Sequence, residues 1–96
     1  MTAIVMSERE VAQAEACRWI KAEGKGRFAI FHQCQSFQPL PVLQRFETAE
    51  ARLAWIQSRP QMAARYREAS DHSIAYFHCP RCPDASKGIH QLLEIQ

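Results

Sequence analysis

The chain has only three glycines among its 96 residues, at positions 24, 26 and 88. That excludes a glycine-rich loop of the kind whose backbone amides cradle a phosphate. No apolar run approaches the roughly 20 residues that cross a bilayer as a helix. The first six residues, Met1 to Met6, have neither a basic start nor a long apolar core, so no secretory signal is expected. A strong excess of one charge is missing too. Twelve Lys and Arg stand against ten Asp and Glu, a formal net charge of +2, which is too balanced to mark a nucleic-acid binder by bulk electrostatics. The composition of a disordered chain is likewise absent: 47% of the residues are apolar and 23% charged, an ordinary globular mix. There is no internal repeat and no linker. The reading is therefore one domain over residues 1–96, with about residues 1–6 outside its folded part.

Four cysteines are present, at 17, 34, 79 and 82. With no secretory signal, a reducing cytoplasmic setting is the default, and it reads them as thiols or metal ligands rather than disulfides.

The periodicity is informative. Ser7-Glu8-Arg9-Glu10 has the form of a capping box. Val11, Ala12, Ala16, Trp19 and Ile20 then fall on one side of a helix that Gly24 and Gly26 would stop, predicting a helix over about 8–23. The period changes at Phe28. Aromatic and β-branched residues from Phe28 to Cys34 predict a strand with Phe28, Ile30, His32 and Cys34 on one face. Pro39 and Pro41 interrupt it, and Val42 to Phe46 predicts a second strand, the two forming a hairpin with a long loop. Thr48 is the expected N-cap of a helix with Ala49, Leu53 and Ile56 inward. Pro60 breaks that helix, and Met62, Tyr66 and Ala69 predict another. His72 to Cys79 predicts a third strand. Residues 89–96 suit a strand or a helix, and the strand is preferred because it would form a hairpin with the third. The expected fold is α+β in the order α-β-β-α-α-β-β, a mostly antiparallel four-stranded sheet with helices packed on one face.

The sharpest chemical feature is His78-Cys79-Pro80-Arg81-Cys82. Two cysteines two residues apart can bind one tetrahedral metal, because the turn between them lets both sulfurs point inward. Structural zinc needs two further ligands, and His78 and His90 would be near one another if the last two strands pair. The candidate metal set is thus Cys79, Cys82, His78 and His90, with His32 and Cys34 as a second possible ligand pair. No second C-x₂-C and no H-x₃₋₅-H accompanies it, so two thiols beside a strand, with no cofactor, is the preferred reading and zinc the alternative.

A strand followed by Cys79-Pro80-Arg81-Cys82 is locally similar to the active-site loop of glutaredoxins, a resemblance that implies an activated thiolate at Cys79. It covers less than a fifth of the chain. In that family the motif comes early, whereas only fourteen residues follow Cys82 here, leaving no place for the strand that would face it. Glutaredoxin activity is rejected, and thiol redox chemistry at Cys79 and Cys82 is the one residual enzymatic reading. Asp71-His72-Ser73 has the residue types of a hydrolase triad, but neighbours on a strand point to opposite faces. His32 reads as a core histidine rather than a base.

Two basic groups interrupt the balanced charge: Arg18, Lys21, Lys25 and Arg27, then Arg59, Arg65 and Arg67. Trp55 lies off the inward stripe of its helix. Tryptophan beside arginine is the usual anchor composition of protein interfaces, which makes Trp55, Arg59, Arg65 and Arg67 the candidate partner surface. The functional expectation is a small non-enzymatic accessory or regulatory domain that acts by binding another protein. Inhibitors of host systems carried by phages and mobile elements share this size and composition. The alternative is a nucleic-acid-binding protein with a zinc-stabilised C-terminal hairpin, its arginines on phosphates. No membrane association is expected, and an open edge strand would allow a homodimer.

Overall fold

The computed structural model describes residues 4–34, 40–70, 76–82 and 88–96. In chain order the described elements are β1 (Ile4–Met6), α1 (Glu8–Ala16), β2 (Lys21–Gly24), β3 (Phe28–Cys34), β4 (Val42–Phe46), α2 (Ala49–Gln57), α3 (Pro60–Ser70), β5 (Tyr76–His78) and β6 (Gly88–Ile95). The expected third strand begins within residues 71–75, and that portion, Asp71-His72-Ser73 included, lies outside the described residues.

The expected N-caps form. Ser7 Oγ accepts from the Glu10 amide at 3.1 Å and Thr48 Oγ1 from the Ala51 amide at 3.0 Å, each satisfying a donor that has no partner within its helix. Pro60 opens α3 in the first helical position, where its missing N–H costs nothing.

The fold is α+β, but the sheet is mixed. Its order is β1-β6-β3-β4-β2, with β5 sharing the β6 edge with β1. β3 pairs antiparallel with both β4 and β6, and β5 pairs antiparallel with β6. β1 on β6 and β2 on β4 are parallel. The expected four antiparallel strands are therefore β3, β4, β5 and β6, and the two short parallel strands are additions. One of them, Ile4–Met6, falls in the segment expected to lie outside the folded part. The other, Lys21–Gly24, occupies what was expected to be the end of the first helix.

That helix stops at Ala16. Arg18 takes the left-handed conformation, with φ of 59°, and donates its amide to Glu15 O while Trp19 donates to Ala14 O. These two bonds are the Schellman pattern that closes helices, here with arginine where glycine is usual. The turn leaves Trp19, expected inward, 71% exposed and buries Ile20 at 7%.

Gly24 and Gly26 do a different job from the expected helix stop. Both have positive φ, 82° and 118°, and both lie against the backbone at the end of β4. A Cβ on Gly24 would meet Arg45 O, and one on Gly26 would meet Phe46 O and the Glu47 Cα. The chain here crosses the end of β4, which sits between β2 and β3 in the sheet. Arg45 fastens the crossing: its Nε donates to Gly26 O at 2.7 Å, and its guanidinium pairs with Glu8 in the first turn of α1.

Helices cover both faces of the sheet, not one. Ala29 packs with Val11, Leu43, Leu93 and Ile95 beneath α1. Its neighbour Ile30 points the other way and packs with Ile56, Met62 and Phe77 beneath α2 and α3, as the two-residue period of a strand requires. Arg52 ties α2 to the sheet by donating from Nη1 to Ala29 O and Leu93 O at 3.1 and 3.0 Å. The β2 edge is short and carries Lys21 and Glu23, features that discourage pairing with another chain. Among the described residues no helix is long and apolar enough to cross a membrane.

Candidate functional site

Alternation along the central strands sets the site. In β3, Phe28, Ile30 and His32 face α2 and α3. The β3–β6 register places His90 directly opposite His32, and the β5–β6 register places Phe77 opposite His90. α2 and α3 cover Ile30 but leave the His32 end of this face open. A cleft of about 600 Å³ results, within the usual size of a ligand site. The sheet contributes Lys21, Glu23, His32, Val42, Gln44 and His90 to its lining, α2 and α3 contribute Trp55 and Met62, the turn between those helices contributes Arg59, and the turn after β5 contributes Cys79, Pro80 and Arg81.

The aromatic groups in this region are interlocked. The His32 ring meets Trp55 edge-on at a centroid distance of 5.0 Å and His90 at 4.4 Å. His90 stacks on Phe77 at 5.1 Å with the rings nearly parallel. His32 Nε2 is 3.2 Å from Gln44 Oε1. His90 is buried, with 3% of its surface exposed, and its Nδ1 has no hydrogen-bond partner among the described residues. A buried polar atom without a partner is uncommon and costs stability unless something else fills the role.

Burial keeps both imidazoles neutral. Desolvation pulls the pKa of His32 down to about 4, against a raising effect from the Gln44 bond and with a further lowering by the Arg59 charge. Desolvation pulls His90 down to about 3, with His32 and the Arg81 charge acting in the same direction. At neutral pH the pair can offer hydrogen bonds but no charge. Groups this weakly basic are poor proton acceptors.

Positive charge comes from arginine. The Arg59 guanidinium lies 3.9 Å over the Trp55 ring centroid, held there by bonds from Nη1 to Trp55 O at 3.0 Å and to Ser58 Oγ at 2.9 Å. Among the described lining residues the charged groups are Lys21, Arg59 and Arg81 against Glu23. Lys21 and Glu23 pair with each other at 3.0 Å, whereas Arg59 is held by the neutral acceptors Trp55 O and Ser58 Oγ.

The candidate residues from the sequence divide. Trp55 and Arg59 come together in the cleft wall. Trp55 is half-buried beside the α2–α3 core and also packs on Phe46. Arg65 and Arg67 are exposed on α3 and do not line the cleft, and Arg65 pairs with Glu68 at 3.3 Å. In the other basic group, Arg27 pairs with Glu94 and Lys21 with Glu23.

The candidate metal set does not converge. His78 lies opposite Ile89, one residue out of step with Phe77 and His90, so the imidazoles of His78 and His90 leave the sheet on opposite faces. Among the described residues no group of three or more His, Cys, Asp or Glu is placed to hold a metal ion.

The meeting of His32 with His90, and the contact of His32 with Gln44, were not among the candidates from the sequence. Comparison with protein-family models, with curated proteins and with solved structures gives no match.

Proposed function

We propose that this chain is a non-enzymatic accessory domain that binds a partner protein through the cleft, taking an acidic side chain of that partner beside Arg59. The observation that carries this reading is the Arg59 guanidinium fixed 3.9 Å over Trp55 at the cleft wall. Arginine and tryptophan are the residues that most often dominate binding energy at protein interfaces. Holding the guanidinium in place before a partner arrives reduces the ordering cost of association. The Arg59 charge at the cleft wall supports an acidic group over a basic one. The buried Nδ1 of His90 supports a group that reaches the cleft floor with a hydrogen-bonding atom. The weak basicity of both histidines supports binding over proton-transfer catalysis.

The test is affinity capture from a lysate of the source organism, with and without nuclease. A near-stoichiometric protein that survives nuclease treatment is the expected result. Recovery of nucleic acid, with every captured protein lost on nuclease treatment, would overturn the proposal in favour of a nucleic-acid-binding role.

A further inference from the structure

The turn after β5 holds the two thiols that the cleft reading leaves unexplained. Cys79 donates its amide to Gly88 O at 2.9 Å, and Cys82 donates back to Cys79 O at 3.3 Å, so the four residues fold into a tight turn against the start of β6. Cys79 is buried, with 4% of its surface exposed, and Cys82 is half-buried. Gly88 makes the room for them. A Cβ there would lie 3.1 Å from the Cys79 Cβ and 2.9 Å from the Cys82 Cβ, and would overlap the Cys82 sulfur. Both cysteines therefore converge on the space left by one missing side chain. Two Cβ atoms at 2.9 and 3.1 Å from one point are no more than about 6 Å apart, a limit that includes the roughly 3.5–4.5 Å a disulfide needs.

The turn is also part of the cleft. Cys79, Pro80 and Arg81 all line it, and Arg81 acts electrostatically on buried His90. A bond between Cys79 and Cys82 would close a small ring through Pro80 and Arg81 and fix where that arginine stands.

We propose that Cys79 and Cys82 form a reversible thiol–disulfide site, oxidised by hydroperoxides, that sets the position of Arg81 at the cleft. The more accessible Cys82 reacts first. Its sulfur attacks the peroxide O–O bond, one oxygen stays as a sulfenic acid on Cys82, and the other leaves as an alcohol or water carrying the thiol proton. The Cys79 sulfur then attacks the Cys82 sulfur and expels the second oxygen as water. Two thiols and one hydroperoxide give one disulfide, one alcohol and one water, and a dithiol reductant restores the starting state. The disulfide chemistry stands independently of what the cleft binds.

The folded protein is treated with stoichiometric hydrogen peroxide, quenched with an alkylating reagent and mapped by peptide mass spectrometry. The expected product has lost two hydrogens, carries Cys79 and Cys82 joined and protected from alkylation, and regains both labelling sites on reduction. Cys79→Ser is expected to stop at a sulfenic acid on Cys82 that a dimedone probe captures, a readout that does not depend on disulfide formation. Oxidation confined to exposed Cys17, or full alkylation of Cys79 and Cys82 after peroxide, would overturn the proposal. A Cys79–Cys82 disulfide that leaves the amide resonances of the cleft residues unchanged would overturn the link to Arg81.

Discussion

Arg18 carries a conformation that suits another residue. A non-glycine side chain in the left-handed region crowds the following carbonyl at a cost of about 1–2 kcal/mol, and Arg18 has φ of 59° in a complete Schellman turn. Arg18→Gly keeps the turn and removes the crowding, so it should raise stability by about 1 kcal/mol, partly offset by glycine's greater freedom when unfolded. In a domain of this size that is a melting temperature higher by about 4–8 °C. An unchanged or lower melting temperature would mean that the arginine side chain stabilises the turn in some other way. His32 and His90 give a second residue-scale prediction. Their folded pKa values of about 4 and about 3 lie below the ordinary 6.5, so between those limits the unfolded chain binds protons that the folded chain refuses. Stability should therefore be at its full value above about pH 6.5 and fall as the pH drops toward the folded values. The limiting slope is about 1.4 kcal/mol per pH unit for each histidine. His90→Phe, which preserves the stack on Phe77, should roughly halve the slope of unfolding free energy against pH between 6 and 4.5. An unaltered slope would show that His90 titrates normally.

At the scale of elements, local chemistry announced most of the secondary structure. Both N-caps, the β3 and β4 spans and the break at Pro60 formed as the sequence pattern indicates, and the chain's end took the preferred strand of the two forms its pattern suits. The β2 strand did not stand out, because Ile20-Lys21-Ala22-Glu23 alternates over only four residues and continues an apparent helical stripe. The deciding event, a left-handed arginine, is one that glycine statistics do not anticipate. The parallel pairings were also out of reach, since a strand of three or four residues gains its partner from tertiary packing rather than from its own propensity. The crossing over β4 makes a prediction of its own. Gly26 combines a φ of 118° with direct backbone approach to Phe46 and Glu47, so Gly26→Ala meets both strain and collision. It should destabilise by more than about 2 kcal/mol in urea unfolding. A loss below about 1 kcal/mol would show that the crossing can move aside.

For the whole molecule, the site follows from the sheet being covered unequally. α1 packs over Ala29 on one face, whereas α2 and α3 leave the His32 end of the other open. Trp55 and Arg59 were legible as a candidate because a tryptophan off the inward stripe stands beside arginine in the sequence. His32 and His90 were not, since they are distant in the chain and meet only through the β3–β6 register. The same register undid the pairing of His78 with His90, because one step along a strand reverses the face. The central claim, that this cleft receives an acidic partner group, is tested most directly by the affinity of Arg59→Glu for the captured protein. Arg59 is exposed, whereas half-buried Trp55 cannot be truncated without disturbing the core around it. We predict binding weaker by about 30-fold or more, the level of an interface hot spot, with a melting temperature within a few degrees of the parent. Equal affinity for both proteins would contradict the account.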